Sequence, residues 1–430
     1  MGTASSVGFV LVAVFLILVV TNVPVSVALG ASSIITMLIF GMNIGMYADL
    51  MVSGMRRFSF LAIPLFILAG VLMDKSGIAS RIIRFFKSLI GSVRGGMGYM
   101  SVAVNMFWGS VSGVGPATVA ALGGVLIPAM EEDDFDRPFA AALVAASGGI
   151  SVIIPPSLAF IVYGVLAGVS IGDLFIAGII PGVIMGLFYM SYIFIYSRRL
   201  PKNPASKKTS GREVWTAFKA AAPGLVTPVI ILGGIYGGVF TPTEAAAAAV
   251  LYSLFLAVPV YKTISLKELF RIFADCGTTS ASIMIILGNA TVFSYLCTVR
   301  GVANVASSAL AAVSSSNVVV LLIMLLILLI AGCFINGNSI LYIFLPIMLP
   351  IIKDMGYDPL WFGIFIVMGS AVGMITPPVA INLYPAANIA KISLSQISKA
   401  IIPFVVAATL CSIVIMLFPV LSLWLPGIRG

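Results

Sequence analysis

Ser147-Gly148-Gly149-Ile150-Ser151-Val152-Ile153-Ile154-Pro155-Pro156-Ser157 is matched, 222 residues further on, by Gly369-Ser370-Ala371-Val372-Gly373-Met374-Ile375-Thr376-Pro377-Pro378. Each stretch is an apolar run cut by two prolines. Proline donates no backbone hydrogen bond and its ring clashes with the preceding turn, so a helix must unwind at both places. The same offset of 222 pairs Pro128 with Pro350, Asp136 with Asp358 and Pro181 with Pro403. An unchanged register over 128–181 marks a duplication. Gly77-Ile78-Ala79 aligns with Gly301-Val302-Ala303 at offset 224, and Pro24 with Pro242 at 218.

The solvent of this chain follows from its composition. Of its 430 residues 61% are hydrophobic and 9% charged, far from the usage of soluble domains. Apolar stretches of spanning length recur throughout, among them Val7–Val20, Val25–Phe40, Phe58–Met73, Leu174–Tyr196, Val226–Val239 and Ile401–Leu423. The expectation is an all-α polytopic membrane protein with no large soluble domain. Met1–Ser6 carries no charge, so the first stretch reads as a retained span and not as a cleaved signal. There is no histidine and the four cysteines are scattered, which speaks against haem, His-ligated metal and Ser-His catalysis. No Gly-x-x-x-x-Gly-Lys-Ser/Thr loop is present, so the chain itself is not expected to use ATP. Neither a cofactor nor an enzymatic activity is expected.

Basic residues set membrane orientation. The segment 198–219 holds Arg198, Arg199, Lys202, Lys207, Lys208, Arg212 and Lys219 against one acid, Glu213, and reads as a cytoplasmic linker between the copies 1–197 and 220–430. Five spans precede it, roughly 7–21, 24–42, 58–74, 137–169 and 174–197, so the N-terminus falls outside. With five more spans after 220, 18 of the 23 basic residues lie inside; Arg56, Arg57, Arg300, Lys353 and Arg429 do not. The charge excess thus reads as topology, with the bilayer and not nucleic acid as its partner. An odd number of spans per copy makes the repeat inverted, the arrangement of secondary transporters. Within this plan 1–57 and 224–272 are scaffold spans, 76–92 is an amphipathic arm helix bearing Arg81, Arg84 and Lys87, and 137–169 and 357–390 are the Pro-broken spans.

Each copy also holds a segment too broken to span, 97–132 and 317–353. Their returning arms, Ala117–Met130 and Ile340–Ile352, read as about 14 residues, about 20 Å of helix against about 30 Å of hydrocarbon. Both are expected to be re-entrant hairpins. Their tips, Val111-Ser112-Gly113-Val114-Gly115-Pro116 and Ala331-Gly332-Cys333-Phe334-Ile335-Asn336-Gly337-Asn338-Ser339, would lie near the midplane with backbone groups free for a ligand. Carbonyls freed at the Pro-Pro breaks suit a sodium ion, and the half-helix that follows presents amides to a carboxylate. Arg300 either pairs with a substrate carboxylate or snorkels to the interface. The acids Glu131 to Asp134 with Asp136 read as a solvated loop. Glu244 in Thr241-Pro242-Thr243-Glu244 reads as helix-capping chemistry.

Gly-Gly-Val-Leu-Ile-Pro-Ala-Met (123–130), Ala-Ala-Ser-Gly-Gly-Ile-Ser-Val-Ile-Ile-Pro-Pro-Ser (145–157), Gly-Gly-Ile-Tyr-Gly-Gly-Val-Phe-Thr-Pro-Thr-Glu-Ala (233–245) and Gly-Met-Ile-Thr-Pro-Pro-Val-Ala-Ile-Asn-Leu (373–383) resemble the large membrane subunit of tripartite ATP-independent periplasmic (TRAP) transporters. The likeness spans the whole chain. It implies a bacterial inner-membrane, sodium-driven elevator with a scaffold and a moving transport core. It also implies a small four-span membrane subunit and a periplasmic substrate-binding protein that delivers a carboxylated solute such as a C4-dicarboxylate, a keto acid or sialic acid. Carried onto this chain, one sodium would sit where Ser110, Ser112, Gly113 and Gly115 meet Gly149, Ser151 and Pro155. A second would sit where Gly332, Asn336 and Gly337 meet Gly373, Thr376 and Pro377. Sodium is the only metal expected, and the solute would lie between the two ions, near Ser112, Ser157, Asn338 and Arg300. The rival readings are a stand-alone sodium/dicarboxylate symporter, an ion channel and a non-transporting membrane subunit.

Overall fold

A computed structural model describes residues 4–21, 23–91, 93–200, 210–314, 316–335 and 337–429. Lys202, Lys207 and Lys208 of the linker and Asn336 of the second tip lie outside the described residues. Twenty α-helices fill the rest, and they repeat in order. Copy one runs α1 (Ala4–Val20), α2 (Val25–Ile39), α3 (Gly45–Met55), α4 (Ala62–Lys75), α5 (Ile78–Ile90), the pair α6 (Gly96–Ser112) and α7 (Gly115–Glu131), the pair α8 (Arg137–Ile150) and α9 (Leu158–Ala167), and α10 (Ile171–Ser197). Copy two runs α11 (Gly211–Tyr236), α12 (Pro242–Phe255), α13 (Leu266–Val299), α14 (Val302–Val313), the pair α15 (Asn317–Gly332) and α16 (Gly337–Asp354), the pair α17 (Pro359–Gly373) and α18 (Leu383–Ala390), and α19 (Leu394–Leu417), followed by α20 (Val420–Arg429).

Local chemistry explains where these helices begin. Ser210 with Glu213, Thr241 with Glu244, and Ser393 with Gln396 form complete capping boxes at α11, α12 and α19. The paired residues Asp136 and Asp358 precede α8 and α17, each followed by a proline in the first turn. Asp358 accepts from the Leu360 amide at 2.7 Å, whereas Asp136 accepts from the Tyr196 hydroxyl at 2.7 Å. Equivalent positions therefore use one residue for two different bonds.

Seven helical stretches among the described residues are long and apolar enough to cross a bilayer. Both Pro-broken spans are instead split into half-helices, and both Pro-Pro bonds are cis. The hairpin arms differ from expectation in length. The returning arm α7 has 17 residues and α16 has 18, so α16 reaches about 27 Å and is not excluded from spanning by length. It starts at the second tip, at Gly337, where an added Cβ would lie 3.2 Å from Ser370 Oγ, inside the second broken span.

Two packing groups result. In the first, α13 lies on α2, α3 and α4, α4 lies on α12, and α12 on α11. Asn289 ties it together from the middle of α13, accepting from the Tyr47 hydroxyl at 2.6 Å and donating to the Ser26 carbonyl at 2.8 Å. The second group joins both hairpins to both broken spans and to α10 and α19, through α6 on α8, α7 on α8 and α18, α15 on α17, and α10 on α19. The groups meet along α13, α4 and α16. Helix α13 runs unbroken where copy one has the separate α3 and α4, which makes it about 51 Å long.

Candidate functional site

At the first tip, Gly113 ends α6 in the left-handed conformation (φ +62°), which only glycine adopts without strain. A Cβ there would also lie 2.6 Å from the Pro156 carbonyl oxygen, so the tip rests directly on the first break. At the second tip the link is a hydrogen bond, from the Val379 amide to the Cys333 carbonyl at 3.2 Å. Behind each tip the outgoing arm touches the broken span backbone to backbone. A Cβ on Gly109 would come within 2.7 Å of the Ser151 Cα, and Gly332 and Gly373 each leave no room for a Cβ on the other. Glycine at these places is a packing requirement.

The four pieces enclose one cavity of about 190 Å³. Gly113 to Pro116 of the first tip, Gly337 and Asn338 of the second, Val152, Leu158 and Ala159 of the first break, and Met374 and Ile381 of the second line it, with Ile286 of α13 and Tyr342 of α16. Three helices present their first turns here, α7 at Gly115, α9 at Leu158 and α16 at Gly337. Helix N-termini carry unsatisfied amides and a partial positive charge, so their convergence makes a site for an anionic group without any basic side chain in the lining. Leu158 and Asn338 also line an adjoining cavity of about 360 Å³, shared with Ser112, Asp74 and Thr279. Tyr342 lines a third, of about 140 Å³, with Ser294, Thr298 and Pro350. Along α13 the three cavities are faced in turn by Thr279, Ile283, Ile286, Ala290, Ser294 and Thr298, spaced three or four residues apart. One stripe of this helix borders a row of cavities about 28 Å long, with Thr279, Ser294 and Thr298 as its polar members.

Four buried oxygens lie on α7, α8 and the two breaks, which pack together at the first tip. Thr118 Oγ1, Ser147 Oγ, Ser151 Oγ and Asn382 Oδ1 are all buried with no hydrogen-bond partner among the described residues. The Asn382 amide nitrogen donates to the Ala145 carbonyl at 3.2 Å, which fixes the carboxamide between the copies. A Cβ on Gly115 would lie 2.9 Å from Asn382 Oδ1 and 3.2 Å from the Gly148 carbonyl oxygen. Burying polar atoms unpaired costs about 1–3 kcal/mol each, so water or an ion at these oxygens would be favourable. Neutral hydroxyl, carboxamide and carbonyl oxygens are the donor type a hard monovalent cation takes, and Gly115 lets the first tip approach the Asn382 and Gly148 oxygens closely.

The sequence-derived residues divide accordingly. Gly113, Gly115, Gly337 and Asn338 line the central cavity, and Ser112 lines its neighbour. Ser151 belongs to the oxygen group, and Gly149 stands nearby, where a Cβ would be 3.8 Å from Asn382 Nδ2. The hydroxyls of Ser110 and Thr376 donate within their own helices, to the carbonyls of Phe107 at 2.6 Å and Val372 at 2.7 Å, which leaves their oxygen lone pairs open. Ser157 donates to the Val152 carbonyl at 2.5 Å and caps α9 by accepting from Phe160, so its side chain serves the break itself. Gly332 and Gly373 serve the backbone contact. Pro155 is buried and Pro377 half-buried, and neither lines any of these three cavities. Arg300 lines none of the three cavities and caps the end of α13, about 21 Å along that helix from Ile286. Asn382 and Tyr342 were not singled out by sequence reasoning. The isolated Asn in Pro378-Val379-Ala380-Ile381-Asn382-Leu383 was the available signal, because an amide in so apolar a setting requires a partner.

Tyr342 is 1% exposed, and its hydroxyl, at the boundary between two cavities, has no partner among the described residues. Tyr342→Phe is expected to leave thermal stability unchanged or slightly raised, since removing an unpaired buried hydroxyl relieves a cost. Solute uptake should fall several-fold if that hydroxyl meets the passing solute. Melting and uptake measured on the same preparation separate the two effects.

A helical membrane protein made of an inverted repeat, with paired hairpins and paired broken spans around one cavity, is in class a secondary transporter. The chain belongs to the DctM component family of tripartite ATP-independent periplasmic transporters, which it matches over residues 12–421. It is 34% identical over 430 residues to the C4-dicarboxylate TRAP transporter large permease protein of Rhodobacter capsulatus, covering 96% of this chain and 97% of that one. It is 36% identical to the isethionate TRAP transporter permease protein of Oleidesulfovibrio alaskensis over 97% of its own length, and spans 66% of that longer protein. Its fold is similar to the crystal structure of the YdaH transporter of Alcanivorax borkumensis, with a TM-score of 0.59 and 14% identity over 87% of each chain.

Proposed function

We propose that this permease imports a carboxylated organic anion across the bacterial inner membrane, driven by sodium, in the manner of an elevator. The observation that carries this reading is the convergence of three half-helix N-termini on one cavity, with the buried oxygen group beside it. The solute carboxylate takes the amides of α7, α9 and α16, and sodium takes the oxygens around Gly115 and Asn382. Each ion favours the other, because a cation held next to the tip amides raises their affinity for an anion and the linkage is reciprocal. A C4-dicarboxylate, a keto acid and sialic acid all carry the required group, and both relatives described above are named for organic anions.

The two packing groups take the two elevator roles in this reading. The group built on α13 stays fixed as the scaffold, and the hairpins, broken spans, α10 and α19 slide along its striped face. With the N-terminus periplasmic, the Asp74 end of α4 is cytoplasmic, and the larger of the two flanking cavities lies at that end. A small four-span membrane subunit and a periplasmic binding protein complete the transporter, and the binding protein supplies most of the choice of solute.

Proteoliposomes holding the permease with its small subunit, supplied with solute-loaded binding protein, test the proposal. An inward sodium gradient is expected to drive uptake against the solute gradient, a tenfold gradient supporting up to about tenfold accumulation per coupled ion, about 1.4 kcal/mol each. Uptake that is indifferent to sodium would refute the coupling.

A further inference from the structure

The arm helix α5 and the first turns of α11 leave between them a cleft of about 580 Å³. Arg84 and Lys87 face it from α5 and Arg212 from α11, and no carboxylate pairs with any of the three among the described residues. Glu213 also lines the cleft, but its carboxylate is held by the capping box, accepting from the Ser210 amide at 3.1 Å. The N-terminal end of α11 adds further positive potential. Three unpaired cations around a pocket favour an anion of more than one negative oxygen.

The depth of the cleft is marked by the residues beside it. Trp215 is 56% exposed, stacks on Phe218 at 5.4 Å and carries Lys219 at 5.4 Å from its ring. An outward tryptophan with a cation over it is the signature of the headgroup layer. On α5, Leu89 is 48% exposed within two turns of Arg84, the pattern of a helix lying in the interface. Arg81, by contrast, is turned inward onto the ring of Tyr261 at 3.6 Å, so it fastens the arm to the scaffold and leaves Arg84 and Lys87 for a ligand.

We propose that this cleft binds the phosphate of an acidic phospholipid, Arg84, Lys87 and Arg212 holding its headgroup between the arm helix and the scaffold. The bound lipid would pin α5 to α11 while the hairpin that follows α5 moves.

Thermal melting of the detergent-purified permease, titrated separately with phosphatidylglycerol, phosphatidylcholine and inorganic phosphate, tests this. Phosphatidylglycerol is expected to raise the melting temperature of the parent, while the other two leave it unchanged. The double variant Arg84→Gln/Lys87→Gln should need about 30-fold more phosphatidylglycerol for half the effect, each interfacial cation contributing about a fivefold factor. Arg271→Gln, an exposed basic residue on α13 away from the cleft, should behave like the parent. An equal response of parent and double variant, or equal protection by phosphatidylcholine, overturns the proposal. Protection by inorganic phosphate matching that of phosphatidylglycerol assigns a soluble anion and overturns the lipid. If the double variant does not fold, Arg212→Gln is read in the same way, with a shift of about fivefold.

Discussion

Gly332→Leu is expected to abolish transport, with uptake below about a tenth of the parent's, and to lower the melting temperature. At this position the outgoing arm of the second hairpin lies on the backbone of Gly373, and neither residue leaves space for a Cβ on the other. The obstacle is main chain, which cannot swing aside as a flexible side chain can. Overpacking a tight contact costs about 1–3 kcal/mol where neighbours can adjust, and here the adjustment would part the hairpin from the broken span that shares its cavity. Gly373→Leu should do the same from the other side. Gly124→Ala is the matched control, because that helical glycine has nothing within 4 Å of an added Cβ. It should be neutral or slightly stabilising through helix propensity. Uptake and size-exclusion profiles of the three variants check this, and a transport-competent Gly332→Leu would contradict the contact.

The second large effect is expected at Asn382. Asn382→Leu keeps the branched outline of the side chain, with bulkier ends, while removing both the donor to Ala145 and the unpartnered oxygen beside Gly115. Folding should tolerate it, since one hydrogen bond of about 1 kcal/mol is lost and an unpaired acceptor disappears with it. Sodium should not tolerate it. The concentration giving half-maximal uptake is expected to rise at least about tenfold, the equivalent of about 1.4 kcal/mol for one lost ligand. Ser151→Ala, which removes another of the buried unpartnered oxygens, should shift the same quantity in the same direction. Solute affinity measured at saturating sodium should change far less in both variants, which distinguishes loss of an ion ligand from a damaged cavity.

How much of this was legible in the sequence depends on how each feature acts. Proline and glycine impose their constraints within a few residues of themselves, so the Pro-Pro breaks at 155 and 377, the tip at Gly113 and the repeat at 222 could be read directly. Capping at Thr241 and Glu244 is equally local, and both halves of that box are formed. Asn382 is different. Its partner Ala145 lies 237 residues away, and the two meet only because the copies cross at their breaks. Gly332 and Gly373 read as ligand-bearing backbone, and the structure shows them packed backbone to backbone, a contact the sequence did not reveal because a missing side chain serves either purpose. Arg300 drew notice as an isolated charge next to an apolar span, but the rise of α13 carries it far from the tips. The stripe of α13 residues along the three cavities was present as an i, i+3, i+4 pattern. It was unreadable as a track until the facing hairpins were in place, because small and polar residues on a membrane helix serve helix packing equally well.

The central claim is that paired tips and paired breaks build a sodium site that prepares the anion site. Equilibrium binding of radioactive sodium to the purified permease, without solute, tests it most directly. Saturable binding that survives excess potassium, weakens at least about tenfold in Asn382→Leu and tightens when solute is added is the predicted result. Sodium binding that is absent, or that is identical in the parent and in Asn382→Leu, would contradict it.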